Sequence, residues 1–279
     1  MKPPFNGTSK EYVAAVLASG RGSNFRAIMD HVRLNILEKV RIPLLICNYE
    51  NAPVLKAAEE YGVRWAFIDH RGKQREEFDK EVSTLLEEYN VDIVILAGFN
   101  RLLSPWFVNE YRWRVINIHP SLTLKFAGLH AQRRALEYFK SINKTYGYDD
   151  KGRRIIGYSG CTVHLVDEGV DTGPIIIQSE KVPVKEDDDE QSLSYRILIY
   201  EHRLFSKAIQ LYVDGRIIGV EDVKLSFNGY EEARRRVKLD LSGGWEERWN
   251  RREQAYIKYQ QSMDYSVKNL GGKPLNEVL

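Results

Sequence analysis

Short, almost wholly apolar segments alternate with amphipathic segments through the first half of the chain. The runs Tyr12–Ala18, Ile42–Asn48 and Val91–Phe99 carry apolar side chains at nearly every position, as strands do when helices cover both faces of a sheet. Helical periodicity follows each run, for instance over Phe25–Val32. Because strand–helix–strand crossovers are right-handed, this alternation predicts a doubly wound, mostly parallel α/β sheet.

The pattern becomes less regular after Pro120. Residues 138–160 are polar and rich in Gly and Tyr, which predicts an inserted excursion with a hairpin. The runs "CTVHLV" and "PIIIQSEKVPV" predict a pair of antiparallel strands joined by "DEGVDTG". An acidic stretch then leads into an apolar-periodic segment, which favours a helix that ends at Gly215.

The last part of the chain, residues 216–279, has a different character. It is strongly charged, and Trp245, Trp249 and Tyr256 have the spacing of one helical face. We therefore predict a main domain over residues 1–215, with residues 138–160 as its insert, and a mainly helical extension over residues 216–279.

Charge and hydropathy exclude several classes of protein. The formal net charge of the 279 residues is +2, too small for a dominant nucleic-acid-binding field. No apolar run approaches the roughly 18 residues that span a bilayer, and the polar start does not resemble an export signal. We expect a cytoplasmic protein with small-molecule ligands and neither nucleic acid nor membrane as partner. Cys47 and Cys161 lie in apolar runs and are expected to be core residues.

A glycine loop, "SGRGSN" over residues 19–24, joins the first strand to the first helix. Glycines allow backbone amides to crowd around an anion, and the helix N-terminus adds N–H groups. The loop lacks a dinucleotide fingerprint, because Phe25 occupies the position of the third glycine and the second strand ends without an acid. The loop favours a single phosphate, while a tight turn that caps the helix is the alternative.

Asn117 and His119 share one strand face in "VINIHPSL". An amide beside an imidazole can stabilise an oxyanion and move a proton, or can satisfy a turn. Asp171 lies in a glycine-punctuated loop, and His164 is read either as a buried core histidine or as a member of the same site. The six histidines show no metal-ligand spacing, so we expect no metal site.

Taken together, these segments resemble one family, the folate-dependent formyltransferases. The matching segments are "VLASGRGSNFRAIM", "VDIVILAGFNRLLSPWFV", "VINIHPSL", "GLH", "TVHLVDEGVDTGPII" and "RILIYEHRLFSKAI". They follow the family's order over about Tyr12 to Gly215. The resemblance implies the family's Rossmann-like fold and direct transfer of a formyl group from 10-formyltetrahydrofolate to the amine of glycinamide ribonucleotide, a step of purine synthesis, with residues 1–215 as the catalytic domain.

The resemblance also implies a role for each matching residue. Asn117 would hydrogen-bond the formyl oxygen, His119 as imidazolium would stabilise the oxyanion, and Asp171 would pair with His119 and help to deprotonate the amine. His164 would support these three. The implied phosphate and ribose ligands are Gly20, Gly22, Ser23, Asn24 and Glu201. The implied folate-binding residues are Arg101, Leu102, Leu103, Val166, Asp167 and Asp171.

The sequence departs from the family pattern at several points. Asn100 replaces an apolar residue of the pterin-lining segment, which suggests a modified pterin as an alternative donor. Leu124 stands where the family has proline, so we expect a less rigid loop after His119. The insert and the extension have no counterpart in the short form of the family.

Other functions remain in competition at this stage. A formyltetrahydrofolate deformylase would use the same Asn, His and Asp with water as acceptor, but it has an N-terminal regulatory domain, and about eleven residues precede the first strand here. A transfer-RNA formyltransferase would carry a C-terminal RNA-binding barrel. A non-catalytic nucleotide or pterin binder would not need all three polar residues. The extension is read as a solvated helix or as the contact of a homo-oligomer.

Overall fold

The computed structural model describes residues 11–262, in which strands and helices alternate as the sequence predicts. The first half contains β1 (Tyr12–Ala18), α1 (Ser23–Arg33), β2 (Val40–Cys47), α2 (Pro53–Tyr61), β3 (Arg64–Phe67), α3 (Arg75–Glu88), β4 (Ile93–Leu96), α4 (Pro105–Glu110) and β5 (Val115–His119). A 3-10 turn at Leu124–Phe126 follows β5.

The second half contains more antiparallel structure. Its elements are α5 (Ala131–Ile142), β6 (Gly147–Tyr148), β7 (Arg154–Ser159), β8 (Thr162–Leu165), β9 (Ile175–Gln178), β10 (Val182–Lys185), α6 (Glu190–Val213), β11 (Ile217–Phe227), β12 (Tyr230–Leu239) and α7 (Trp245–Ser262).

A nine-stranded sheet in the order β11-β12-β9-β8-β5-β4-β1-β2-β3 forms the centre of the molecule. Five neighbouring strands, in the order β5-β4-β1-β2-β3, are parallel. The chain adds strands first on one side of β1 and then on the other. This is the doubly wound arrangement, in which ligands bind beyond the carboxyl ends of the strands. The predicted fold class is therefore confirmed.

Alternate residues of β1 pack into two different apolar clusters. Ala14 and Val16 belong to the cluster that also contains Phe25 of α1 and Phe205 of α6. Leu17 points the other way, into the cluster formed with α3 and α4. Helices thus cover both faces of the sheet, which explains why the strands are apolar at successive positions. Cys47 and Cys161 are fully buried core residues, as expected.

Two expectations about the later chain need correction. Over its described part, residues 216–262, the extension is not mainly helical, because β11 and β12 form a long antiparallel hairpin that adds two strands to the main sheet. The sequence signal for this hairpin is short: Val223, Leu225 and Phe227 alternate with polar residues in β11, and charged residues dominate β12. The run "PIIIQSEKVPV" is not one strand either. It divides into β9 and β10, which belong to different sheets.

Residues 138–160, the predicted insert, contain the end of a helix and a β-hairpin. The first five complete α5, and β6 and β7 then form the expected hairpin. The hairpin pairs with β10 in a separate three-stranded sheet.

The helical part of the extension, α7, packs on the molecule's own core. Trp245, Trp249 and Tyr256 are all buried, which confirms the predicted helical face. Tyr256 stacks against His31 of α1 at 3.7 Å between ring centroids. The remaining predicted extension, residues 263–279, lies outside the described residues. None of the helices within residues 11–262 has the length and apolar character needed to span a membrane.

Candidate active site

Asn117 and His119 lie at the carboxyl end of β5, on the same side of the strand. The antiparallel pairing of β5 with β8 sets His164 directly opposite Asn117. His119 and His164 are both buried, with 7% and 2% of their surfaces exposed. The sheet register therefore brings His164 beside Asn117, although the two residues lie 47 positions apart along the chain.

Asp171 reaches the same place from the loop between β8 and β9. Its backbone has a left-handed conformation, with φ of 56°. Gly173 allows this loop to lie against β8, because a Cβ at that position would meet the Leu165 carbonyl oxygen at 1.7 Å. One carboxylate oxygen of Asp171 accepts the Gly128 amide at 2.7 Å and lies 3.2 Å from His119 Nδ1. The other oxygen accepts Asn117 Nδ2 at 3.3 Å.

Burial and charge have opposite effects on the protonation of this pair. Burial lowers the pKa of His119, and the adjacent Asp171 carboxylate raises it, with a net lowering. Burial raises the pKa of Asp171, but the hydrogen bond with His164, the charge of His119 and the Gly128 amide together bring it well below its usual range. At neutral pH the site therefore holds an ionised carboxylate beside an imidazole that is available to accept a proton.

The ring nitrogens of both histidines have defined partners. His119 Nε2 lies 3.0 Å from the Phe126 carbonyl oxygen. His164 Nδ1 lies 2.9 Å from the Leu165 carbonyl oxygen, and its Nε2 lies 3.1 Å from Asn117 Nδ2 and 3.5 Å from Asp171 Oδ1. His164 thus orients the amide of Asn117. Within residues 11–262, no group of three or more His, Cys, Asp or Glu side chains is arranged to hold a metal ion.

The glycine loop forms one wall of a neighbouring cavity of about 330 Å³. Gly22 adopts a left-handed conformation with φ of 79° at the start of α1, and a Cβ there would lie 2.5 Å from the Val54 side chain. Asn24 Nδ2 donates to the buried Glu201 carboxylate at 2.7 Å. Burial raises the pKa of Glu201, opposed by Asn24 and Arg21. Gly20, Gly22, Ser23, Asn24 and Glu201, all predicted as ribonucleotide ligands, line this one cavity.

A second cavity, of about 570 Å³, contains Asn117, His119, His164 and Asp171. Arg101, Leu102, Leu103, Val166 and Asp167, all predicted as folate-binding residues, line it as well. Leu102 and Leu129 line this cavity although half or more of their surface is exposed, as expected where a flat apolar ligand would cover them. Gly98, Ile118 and Pro120 line both cavities. The two cavities therefore meet beside Asn117 and His119.

Three polar residues of the second cavity are occupied by contacts within the chain. Arg101 donates to the carbonyl oxygens of His70 and Lys73, at 3.3 and 2.8 Å. The amide of Asn100 is held by Asn48 and Tyr49, each at 3.2 Å. Asp167 accepts Thr172 Oγ1 at 2.6 Å and pairs with Arg235. These side chains shape the loops that form the cavity walls.

Part of β12 also reaches this site, which the sequence pattern did not predict. Arg234 Nη2 donates to the backbone carbonyl of Asp171 at 2.8 Å, and Glu232 accepts the Leu124 amide at 2.8 Å. The only signal in the sequence is a period of two in "YEEARRRVKL", which places Glu232 and Arg234 on one strand face. Because this segment was expected to be helical, the shared strand face of Glu232 and Arg234 was not predicted.

The doubly wound sheet carries two joined cavities, with an amide, an imidazole and a carboxylate at their junction. Comparison with known families assigns the class. The family described as Formyl transferase matches residues 13–209, and the chain belongs to this family.

Named relatives agree with the family assignment. The chain is 36% identical to the phosphoribosylglycinamide formyltransferase of Escherichia coli K12 over 203 residues, which cover 72% of this chain and 87% of that protein. It is 39% identical over 214 residues to the human trifunctional purine biosynthetic protein adenosine-3, covering 76% of this chain. The chain spans 14% of the length of the Drosophila pseudoobscura trifunctional relative and 19% of the human one.

Solved structures show the same likeness. The glycinamide ribonucleotide transformylase 1 of Symbiobacterium toebii superimposes with a TM-score of 0.67 at 35% identity, covering 83% of this chain and 95% of that one. The phosphoribosylglycinamide formyltransferase of Bacillus halodurans gives a TM-score of 0.62 at 34% identity. It covers 71% of this chain and 93% of that one.

Proposed function

We propose that this chain transfers the formyl group of 10-formyltetrahydrofolate to the amine of glycinamide ribonucleotide, in purine synthesis. The observation that carries the proposal is the meeting of two cavities beside Asn117 and His119. A transfer between two bound substrates needs such a junction, because the reacting atoms must approach to about 3–3.5 Å. The names of the relatives support the identity of both substrates.

The ribonucleotide would occupy the smaller cavity. Its phosphate would lie against the backbone amides of residues 20–24, at the N-terminus of α1. Glu201 would accept hydrogen bonds from the ribose hydroxyls, and its hydrogen bond with Asn24 joins the phosphate and ribose subsites. This places the amine end towards Gly98 and Pro120, which the two cavities share.

The formyl donor would occupy the larger cavity. Its apolar lining by Leu102, Leu103 and Leu129 suits a flat heterocycle. The Asn100 amide is already bonded to Asn48 and Tyr49. It therefore gives no reason to prefer a modified pterin over tetrahydrofolate itself.

The reaction would begin when the amine nitrogen attacks the formyl carbon. Electrons of the C=O bond move to oxygen, where the Asn117 N–H group that donates to Asp171 at 3.3 Å in the free site would turn to stabilise the charge. The amine proton passes to the ionised Asp171 carboxylate and from it to His119 Nδ1, and the imidazolium that results further stabilises the oxyanion. Collapse re-forms C=O and breaks the bond to N10, which takes up the proton held by the His119 imidazolium and so restores the neutral ring. No covalent enzyme intermediate is needed.

An assay with two conditions tests this function. Purified protein is mixed with 10-formyltetrahydrofolate, with and without glycinamide ribonucleotide, while folate absorbance and formylated ribonucleotide are measured. Tetrahydrofolate release that requires the ribonucleotide, with matching product, is the expected result. Release without ribonucleotide would indicate the deformylase instead, and no release would contradict both activities.

We also propose a cytoplasmic location, in keeping with soluble small-molecule substrates. A homo-oligomer through the extension remains a prediction. Trp245, Trp249 and Tyr256 are buried against the chain's own core, so they are not available for such a contact. Size-exclusion chromatography with light scattering measures the oligomeric state directly.

A further inference from the structure

The loop that follows His119 and the loop that carries Asp171 are both attached to β12. Glu232 Oε2 accepts the Leu124 amide at 2.8 Å, and Glu232 Oε1 lies 3.2 Å from Arg234 Nη1. Arg234 Nη2 donates to the Asp171 carbonyl at 2.8 Å. A continuous chain of hydrogen bonds therefore runs from one loop to the other through these two side chains.

These two loops hold the two nitrogens of the His119 ring. The Phe126 carbonyl, two residues after Leu124, lies 3.0 Å from Nε2. The Asp171 carboxylate lies 3.2 Å from Nδ1. Any movement of one loop relative to the other would therefore alter the position of the imidazole.

The bridging pair is withdrawn from solvent. The side chains of Glu232 and Arg234 are 5% and 3% exposed. An ion pair at this depth costs desolvation and is stabilising only with complete hydrogen bonding. Both carboxylate oxygens of Glu232 are used, one by Arg234 and one by Leu124, whereas the buried Arg234 Nε has no hydrogen-bond partner within the described residues. The backbone of Asp171 has a positive φ, which a donor to its carbonyl helps to hold.

A parallel link on the same strand face supports this role. Arg236 Nη2 donates to Gln178 Oε1 at 3.2 Å, and Gln178 Nε2 donates to the Leu122 carbonyl at 3.0 Å. Residues 232, 234 and 236 of β12 thus each make a polar contact that leads to one of the two loops, as the period of two in a strand requires.

We propose that Glu232 and Arg234 are positioning residues that fix the His119–Asp171 pair by joining its two supporting loops. The proposal rests on the proposed formyl transfer. Glu232 also gives the loop an attachment to β12 at position 124, where the family pattern has proline. Leu124 retains an N–H group, and Glu232 binds it.

The pair can be tested by matching donors with acceptors. In the wild-type chain the two oxygens of Glu232 accept from two donors, the Leu124 N–H group and Arg234. The Glu232→Gln side chain has only one oxygen, so its NH2 group would face one of these donors. Leu124→Pro removes that N–H. Proline is compatible with the backbone there, because Thr123 is extended with ψ of 153° and residue 124 begins a 3-10 turn.

We expect Glu232→Gln alone to lower kcat about ten-fold, with KM for the ribonucleotide within about two-fold, since small displacements at a reacting centre reduce the rate strongly. In the Leu124→Pro background the same change should alter kcat by less than about two-fold, since no donor remains to clash. Glu221→Gln removes an exposed ion pair with Lys238 on the same hairpin and is the matched control. Equal effects of Glu232→Gln in both backgrounds would overturn the proposal.

Hydrogen exchange gives a readout that does not depend on activity. Glu232→Gln should accelerate exchange of both the Leu124 and the Gly128 amides by about ten-fold or more, because local opening sets these rates. The Gly128 amide donates to Asp171 and does not touch Glu232. An unchanged Gly128 rate would contradict the coupling of the loops. If the wild-type chain makes no formylated product, the proposed function fails, and the exchange rates still decide whether the loops are joined.

Discussion

His119 Nδ1 lies 3.2 Å from Asp171 Oδ2, and this contact opposes the effect of burial on the imidazole. Burial lowers the pKa of His119, while the carboxylate raises it. Asp171→Asn removes the negative charge but keeps the shape of the side chain. We therefore expect the pKa of His119 to fall further in this variant, as followed by the ring signals in a proton–carbon NMR titration.

The same substitution should affect the proposed catalysis. Without the carboxylate, the imidazolium that forms during the reaction loses its ionic partner, so kcat should fall by about two to four orders of magnitude, the usual range for a general acid–base group. Asp150→Asn, at an exposed position in the hairpin between β6 and β7, is the control. Turnover near that of the control would refute the role of Asp171.

Gly22 and Gly20 lie in the same loop but in different surroundings. A Cβ on Gly22 would lie 2.5 Å from Val54, and its φ is 79°. A Cβ on Gly20 would meet nothing within 4 Å. We expect Gly22→Ala to destabilise the fold by about 1–3 kcal/mol, the range for a strained or overpacked site, and Gly20→Ala to change it little. Urea unfolding of both variants measures the difference, and equal midpoints would contradict the strain argument.

The parallel half of the fold and the central polar residues could be predicted because each signal there is local. Apolar runs identify buried strands, and Asn117 and His119 follow from their spacing within one such run. The β11–β12 hairpin could not be predicted in this way. Its apolar alternation is limited to short runs such as Val223, Leu225 and Phe227. The roles of Glu232 and Arg234 depend on contacts with residues more than sixty positions away along the chain. In the described extension, periodic signals come from the aromatic face of α7 and from short period-of-two runs in β11 and β12.

Glu201 offers a test of the smaller cavity. It is buried, and Asn24 Nδ2 donates to it at 2.7 Å. Glu201→Gln keeps the size of the side chain but weakens its hydrogen bonds to ribose hydroxyls. We expect KM for the ribonucleotide to rise about ten-fold, as for loss of one charged hydrogen bond, with kcat nearly unchanged.

Steady-state kinetics with each substrate varied in turn separate the two constants. KM for the formyl donor should stay the same, because the donor cavity does not include Glu201. Glu137→Gln, on the exposed side of α5, is the control. A fall in kcat alone would place Glu201 outside the ribose subsite.

His31 links the stability of the fold to pH. Its ring is fully buried under Tyr256 of α7, and burial lowers its pKa from 6.5 to about 4. The unfolded chain therefore binds a proton near pH 6.5, whereas the folded chain does not until about pH 4. The contribution of the neutral His31 ring to the unfolding free energy is complete above pH 6.5 and decreases as the pH falls towards 4. Between pH 7 and 5 this one group should remove about 2 kcal/mol of unfolding free energy.

Urea unfolding of the wild-type chain and of His31→Phe at both pH values isolates this contribution. The phenylalanine ring retains the contact with Tyr256 but cannot be protonated, so the variant should lose about 2 kcal/mol less than the wild type between pH 7 and 5. The comparison concerns the change with pH in each protein, so any packing cost of the substitution cancels. An identical pH dependence in both proteins would show that His31 does not link the unfolding free energy to pH.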